Sequence, residues 1–265
     1  MSNCTSDFDC LRLAGNATAV ALFIAPLPTF WTLMKKKSTM EYSGLPYVCT
    51  LFNCLLWIFY GMPFVKPHSM LIITINGFGC AIELIYLTVY IIYADRKNQL
   101  KVLGMLLAVI LAFTVVAVLT VTVLHTHNSR TTVVGSVCVV VAIAMYVSPL
   151  SIMKLVIQTR SVEYMPFLLS LFVFLNSMAW TSYALVTKDI FIGIPNGLGC
   201  LSGVAQLALY VFYRYLKPVT ASLESGDKPL VNNVYVEIGK SNEKLNENKD
   251  SKSRLINQDG NKPAN

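Results

Sequence analysis

Two side-chain types recur in this sequence at a nearly fixed interval, and together they could hold an uncharged, hydroxyl-rich ligand. Asn53 and Trp57 are followed by Asn176 and Trp180 at an interval of 123, and Asn76 by Asn196 at an interval of 120. An amide both donates and accepts hydrogen bonds. An indole offers a flat apolar face. A pyranose, with hydroxyls around its edge and a C–H face, matches that pair of groups with no charge on either side. Other chemistries lack their residues: there is no Ser/His/Asp set, no Gly-rich phosphate loop and no spaced metal-ligand cluster, so no enzyme, cofactor or metal is expected. None of the 7 cysteines forms a C-x-x-C pair, which argues against a zinc or redox centre.

The elements that must carry these residues are membrane helices. Of the 265 residues 55% are apolar and 13% charged, with a mean hydropathy of +0.57; a soluble domain is nearer a quarter charged. About 20 consecutive apolar residues cross a bilayer as a helix. Seven runs qualify: Leu13–Met34, Leu45–Val65, Met70–Ala94, Val102–Leu124, Val133–Met153, Met165–Thr187 and Ile190–Tyr213. The first lacks a basic flank and a cleavage site, so it reads as a retained helix.

The formal charge of +7 lies wholly within 1–217, in short loops, which reads as a topology signal and excludes a nucleic-acid partner. Lys35, Lys36, Lys37, Arg96, Lys97, Lys101, Lys154, Arg160, Arg214 and Lys217 fall on one side; Arg12, Lys66, Arg130 and Lys188 fall on the other. The richer side is expected in the cytosol, with the N-terminus outside and the C-terminus inside, in the plasma membrane or an intracellular one. The sequon at Asn3 then lies outside, where glycosylation requires it. Cys4 and Cys10 also lie outside, where they could bridge. His68, His125 and His127 fall in outer loops. The tail 218–265 nets zero charge, has too few apolar residues to bury, and reads as disordered and cytoplasmic.

The interval extends well beyond the amides and indoles. Pro26-Leu27 returns as Pro149-Leu150, Ser38 to Tyr42 as Ser161 to Tyr164, Tyr60 as Tyr183, Asn76-Gly77 and Gly79-Cys80 as Asn196-Gly197 and Gly199-Cys200, and Tyr90 as Tyr210. Spans one to three and five to seven are therefore one unit used twice. The unpaired fourth span returns the chain across the membrane, so both units point the same way. The expected fold is an all-α membrane protein: a three-helix repeat over 1–94, a linker helix over 95–130, a second repeat over 131–217, and the tail. Transporters place their substrate at such a repeat interface.

Counting along the spans at about 1.5 Å per residue places Asn76, Asn196, Trp57 and Trp180 in one layer roughly 9–12 Å deep, with Asn53 and Asn176 deeper on the same faces. An intramembrane Asn can equally be interhelical glue, and a boundary Trp part of an aromatic belt. Duplication at equal depth, beside glycines that open space, favours a pocket. Pro26, Pro46, Pro149 and Pro166 fall in the cytoplasmic half, where they are either tolerated kinks or a four-fold hinge. Glu83 is the acid buried inside a span, without a counterpart at Gly203; a proton site and a structural pairing both remain open for it.

These residues resemble a known family. Ala25 to Phe30, Lys35 to Thr39, Ser161 to Pro166 and the paired Asn-Gly-x-Gly blocks resemble the SWEET sugar transporters of plant type, over about residues 10–217. The resemblance implies a uniporter that moves sugar down its gradient by alternating access, assembled as a homo-oligomer, trimeric in the family. It implies that Asn76 and Asn196 bind the sugar between Trp57 and Trp180. Leu22, Asn53, Met145 and Asn176 match positions that line the pocket and set substrate size; the bulky set here favours a hexose such as glucose over a disaccharide such as sucrose. Pro26, Pro46, Pro149 and Pro166 match an inner-gate tetrad, and Tyr60 and Asp189 an outer-gate pair. Ala184 departs from the pattern, standing where the first repeat has Gly61.

Two rivals share the topology. A seven-helix receptor would explain Asp95-Arg96 after span three, but it has no reason to repeat its first three spans. A proton-coupled exporter of related architecture would carry Pro-Gln where this chain has Pro26-Leu27 and Pro149-Leu150.

Overall fold

A computed structural model describes residues 15–216. Asn3, Cys4, Cys10 and the tail from 218 onward lie outside the described residues, so the expectations placed on them are not addressed by it. The described residues are helical throughout, in nine α-helices: α1 (15–24), α2 Leu27–Lys36, α3 Leu45–Gly61, α4 Met70–Tyr93, α5 Arg96–Val123, α6 His127–Met145, α7 Val147–Thr159, α8 Phe167–Thr187 and α9 Ile190–Val211. Two compact units divide at Tyr210. All that follows concerns the first; of the second, beginning at Val211, a π-helical turn Phe212–Leu216 is described.

Nine helices make seven spans because the first and fifth are each broken once. α1 and α2 form one 22-residue apolar span interrupted at Ala25-Pro26, and α6 and α7 form one of 33 residues interrupted at Tyr146. The cause is local. Proline has no N–H to bond the preceding turn and its ring crowds that turn's carbonyl. Pro26 caps α2, and Pro149 sits in the first turn of α7. Pro46 and Pro166 fall at the starts of α3 and α8, where a proline costs nothing because those N–H groups have no helical partner. The two broken spans also end alike: Lys37 and Arg160, 123 residues apart, both close their helices in left-handed backbone, at φ 49° and 54°.

Several helix ends differ from the hydropathy reading. α5 begins at Arg96, not Val102, because Asp95 accepts a hydrogen bond from the N–H of Asn98 and starts the helix inside the charged segment. α6 begins at His127, not Val133, because the Thr126 hydroxyl accepts from the N–H of Ser129. His127 is therefore helical, and the boundary expected between residues 130 and 131 falls inside α6. α3 stops at Gly61 and leaves Val65 in the following turns. The apolar run marks the bilayer; the caps mark the helix.

Two apolar clusters hold the spans. One, built on Phe30, Leu51, Tyr86, Tyr90 and Val102, joins α2, α3, α4 and α5. The other joins the repeats to each other: Trp57 and Tyr60 from α3, Ile72 from α4, Cys138 from α6, Tyr183 and Ala184 from α8 and Ile192 from α9 share one core. That shared core lies at the end of the bundle that carries Asp189, here called the Asp189 end; the opposite end carries Lys35 to Lys37.

Close packing is also duplicated. A Cβ on Gly79 would come within 2.8 Å of Phe23, and one on Gly199 within 2.6 Å of Tyr146. Phe23 and Tyr146 are counterparts, so each repeat seats its first helix against a glycine of its third. The departure at Ala184 is compensated in the same way. A Cβ on Gly61 would approach Ile73 at 2.9 Å, whereas in the second repeat Ala184 faces Gly193, the counterpart of Ile73. The small residue has changed sides of one contact.

Candidate substrate pocket and gate

The side chains singled out by the repeat converge on one cavity of about 170 Å³, far above the ~10–15 Å³ that a single water needs. Its wall contains Asn53 and Trp57 from α3, Asn76 from α4, Asn176 and Trp180 from α8 and Asn196 from α9, with Ala19 and Phe23 from α1 and Ile72, Ile75 and Ile192 between them. No charged side chain lines it. A second cavity of about 260 Å³ shares Asn53, Trp57 and Asn196 with the first and continues along the α6–α7 break, past Ala142, Met145, Tyr146 and Pro149. Leu22 lines neither cavity; its neighbours Ala19 and Phe23 face the first one instead. Met145, the counterpart of Leu22, does line the second.

Each helix holds its polar group in a defined way. Asn76 donates its amide N–H to the carbonyl of Ile72 at 2.8 Å, and Asn196 does the same to Ile192 at 2.9 Å. Both bonds run one turn back along the helix, so the amide is fixed and its oxygen remains for a ligand. Gly77 and Gly197 follow, and a Cβ on either would meet nothing within 4 Å. Trp57 stands edge-on to Tyr60 at 5.4 Å and 83°, and Trp180 to Tyr183 at 5.6 Å and 80°. Each indole is thus braced by a tyrosine one turn away, with the same geometry in both repeats. In the second repeat Pro195 lies inside α9 beside Asn196, and its carbonyl accepts a hydrogen bond from the Tyr146 hydroxyl at 2.6 Å.

At the Asp189 end a polar link joins the helices. The Tyr60 hydroxyl donates to the Asp189 carboxylate at 2.9 Å, and Lys66 forms an ion pair with the same carboxylate. Lys66 also reaches the Tyr60 hydroxyl at 3.3 Å. Asp189 is 3% exposed and additionally accepts from the N–H groups of Phe191 and Ile192 at the start of α9. One carboxylate therefore joins α3, the loop after it and α9. Tyr60 and Asp189, which the resemblance matches to a gate pair, are in hydrogen-bond contact. Lys66, read from the sequence as a topology charge, is the third member; it stands 123 residues before Asp189, the interval of the repeat. The prolines sit at the other end, at the breaks and helix starts described above.

Comparison with known proteins fits this geometry. The sequence profile of a family described as a sugar efflux transporter for intercellular exchange matches the chain twice, at residues 9–98 and 132–217. The two matched stretches are the two repeats. The chain belongs to the SWEET family of sugar transporters. It is 49% identical over 215 residues to the bidirectional sugar transporter SWEET7 of Arabidopsis thaliana, covering 80% of this chain and 83% of that one. It is also 49% identical over 203 residues to the bidirectional sugar transporter SWEET4 of Oryza sativa subsp. indica, covering 77% and 78%. The structure of a eukaryotic SWEET transporter superposes with a TM-score of 0.75 at 42% identity, over 78% of this chain and 96% of that one. The SWEET fold is all-helical, with two parallel three-helix repeats around a linker helix, here α5. The family consists of integral membrane transporters and not enzymes, and its substrate is a sugar.

Proposed function

We propose that this SWEET is a bidirectional uniporter that moves hexoses such as glucose down their gradient by alternating access. The observation that carries the reading is the uncharged ring of Asn53, Trp57, Asn76, Asn176, Trp180 and Asn196, drawn from both repeats and lying beneath the Tyr60–Asp189 link. In this reading Asn76 and Asn196 bind sugar hydroxyls, Trp57 and Trp180 flank the ring, and Asn53, Asn176 and Met145 limit its size, while Leu22, which lines neither cavity, acts only from behind Ala19 and Phe23. Tyr60, Asp189 and Lys66 form the outer gate, and the bonds among them support that role. Pro26, Pro46, Pro149 and Pro166 let the repeats rock so that the opposite end opens and closes. The bulky residues at the size-setting positions support a monosaccharide over sucrose. No ion gradient enters, because the pocket has no charged wall residue to couple to one.

The lysine-rich end is placed in the cytosol, which puts Asp189 and the N-terminus outside; the membrane is the plasma membrane, and the working form is a homo-oligomer. The functional division runs as 1–94, 95–130 and 131–217, with the remaining tail cytoplasmic. The test is glucose flux through Asn76→Ala and Asn196→Ala in cells lacking their own hexose carriers, with surface protein quantified. Loss of flux at unchanged surface level is expected. Retained flux in both variants refutes the pocket.

A further inference from the structure

The two deep asparagines are counterparts in sequence but are held differently. The Thr18 hydroxyl of α1 lies 3.1 Å from Oδ1 of Asn176 and 3.0 Å from the carbonyl of Gly15, and its one hydrogen is shared between these two acceptors. The equivalent of Thr18 in the second repeat is Val141, at the interval of 123 that also relates Ala19 to Ala142 and Phe23 to Tyr146. Val141 has no hydroxyl and packs on the apolar core shared by the repeats. Oδ1 of Asn53 is buried and finds no hydrogen-bond partner among the described residues. A buried amide oxygen left unpaired costs free energy comparable to a lost hydrogen bond. Asn53 lines both cavities, and turning its amide about the last side-chain torsion brings Oδ1 to them, where a hydroxylated ligand can supply the missing donor.

We propose that Thr18 is a positioning residue that orients Asn176 and leaves its N–H groups for the ligand, while Asn53 takes a hydroxyl hydrogen from it, so that the sugar is held in one orientation. The pocket is then functionally asymmetric in spite of the repeat. Asn176 acts as a pre-set donor, and Asn53 is an acceptor that is satisfied only when sugar is bound. This inference rests on the pocket reading above.

The experiment is KM for glucose uptake, with surface protein measured for every variant. Thr18→Val is expected to raise KM roughly three- to ten-fold, the loss of one hydrogen bond. Thr18→Ser, which keeps the hydroxyl, restores it. In an Asn176→Ser background, where the shorter side chain no longer meets Thr18, Thr18→Val adds nothing further. Val141→Thr gives Asn53 a partner within the protein and is expected to raise KM by competing with the sugar. A Thr18→Val effect that is absent, unrescued by serine, or fully additive with Asn176→Ser overturns the positioning role. An unchanged KM in Val141→Thr overturns the asymmetry. If Asn53→Ser and Asn176→Ser both leave KM unchanged, the pocket reading itself fails; if they raise KM while Thr18→Val does not, only the present inference fails.

Discussion

Asp189 shows how much one side chain can carry in this molecule. Its carboxylate caps α9, accepts from Tyr60 and pairs with Lys66 while 3% exposed. Asn would preserve the cap but lose the ion pair. Asp189→Asn is therefore expected to weaken the Tyr60–Asp189–Lys66 link, the proposed outer gate, by about 1.5–3 kcal/mol, the range for a hydrogen bond to a charged group. Cys138, fully buried in the core beneath that gate, then reports the change. In a background without other thiols it should react with an impermeant maleimide at least ten times faster in the variant; an unchanged rate argues against the gate.

Glu83 is buried at 3% exposure, with Oε2 unpartnered among the described residues, and it lines neither cavity. Glu83→Gln, which keeps its shape, is expected to leave glucose flux and its pH independence intact. Loss of flux in that variant assigns the carboxyl a part in transport. Residues of this scale were legible in the sequence where the repeat conserved their identity, as with the asparagine and tryptophan pairs. Lys66 and Thr18 were not, because a loop lysine looks like a topology signal and a helix threonine like a spacer. Phe23 and Tyr146 escaped because the repeat preserves their place but not their type.

At the scale of elements, the broken spans and the glycine seats set what can move. Pro149→Ala removes the ring that crowds the turn of Tyr146 and lets α6 and α7 become continuous. Proline disfavours a helix interior by about 3 kcal/mol relative to alanine, and its first-turn position in α7 reduces that figure here. Pro149→Ala is expected to slow maximal transport several-fold while changing KM less than two-fold; a KM change with unaltered maximal rate places the proline in binding instead of motion. Gly79 is a seat of the other kind. Its alanine variant forces a methyl against the Phe23 ring, and overpacking of this sort costs about 1–3 kcal/mol. A lower melting temperature in detergent is expected, and an unchanged one means that α1 yields freely. Hydropathy located all seven spans because the bilayer imposes a length on apolar runs. It missed the first turns of α5 and α6 because the caps at Asp95 and Thr126 lie in polar sequence, where hydropathy carries no signal. The breaks were foreshadowed by Pro26 and Pro149, although the sequence reading counted each broken span as one helix.

Through Tyr210 the described residues form two repeats and a linker helix, the repeats sharing one apolar core at the Asp189 end with the amide- and indole-lined cavity beneath it. That arrangement suits a carrier that opens to one side at a time, since the core and the gate would have to separate for the other side to open. The parallel relation of the repeats followed from the odd number of spans in each unit. The Tyr60–Asp189–Lys66 link as a whole did not follow from sequence, because it depends on side chains that meet only across the repeats. The most direct measurement is radiolabelled glucose and sucrose flux, inward and outward, at two external pH values, in cells lacking hexose carriers. Glucose flux is expected in both directions, insensitive to pH and well above that of sucrose. Flux that requires acid outside, or sucrose moving as fast as glucose, would contradict it.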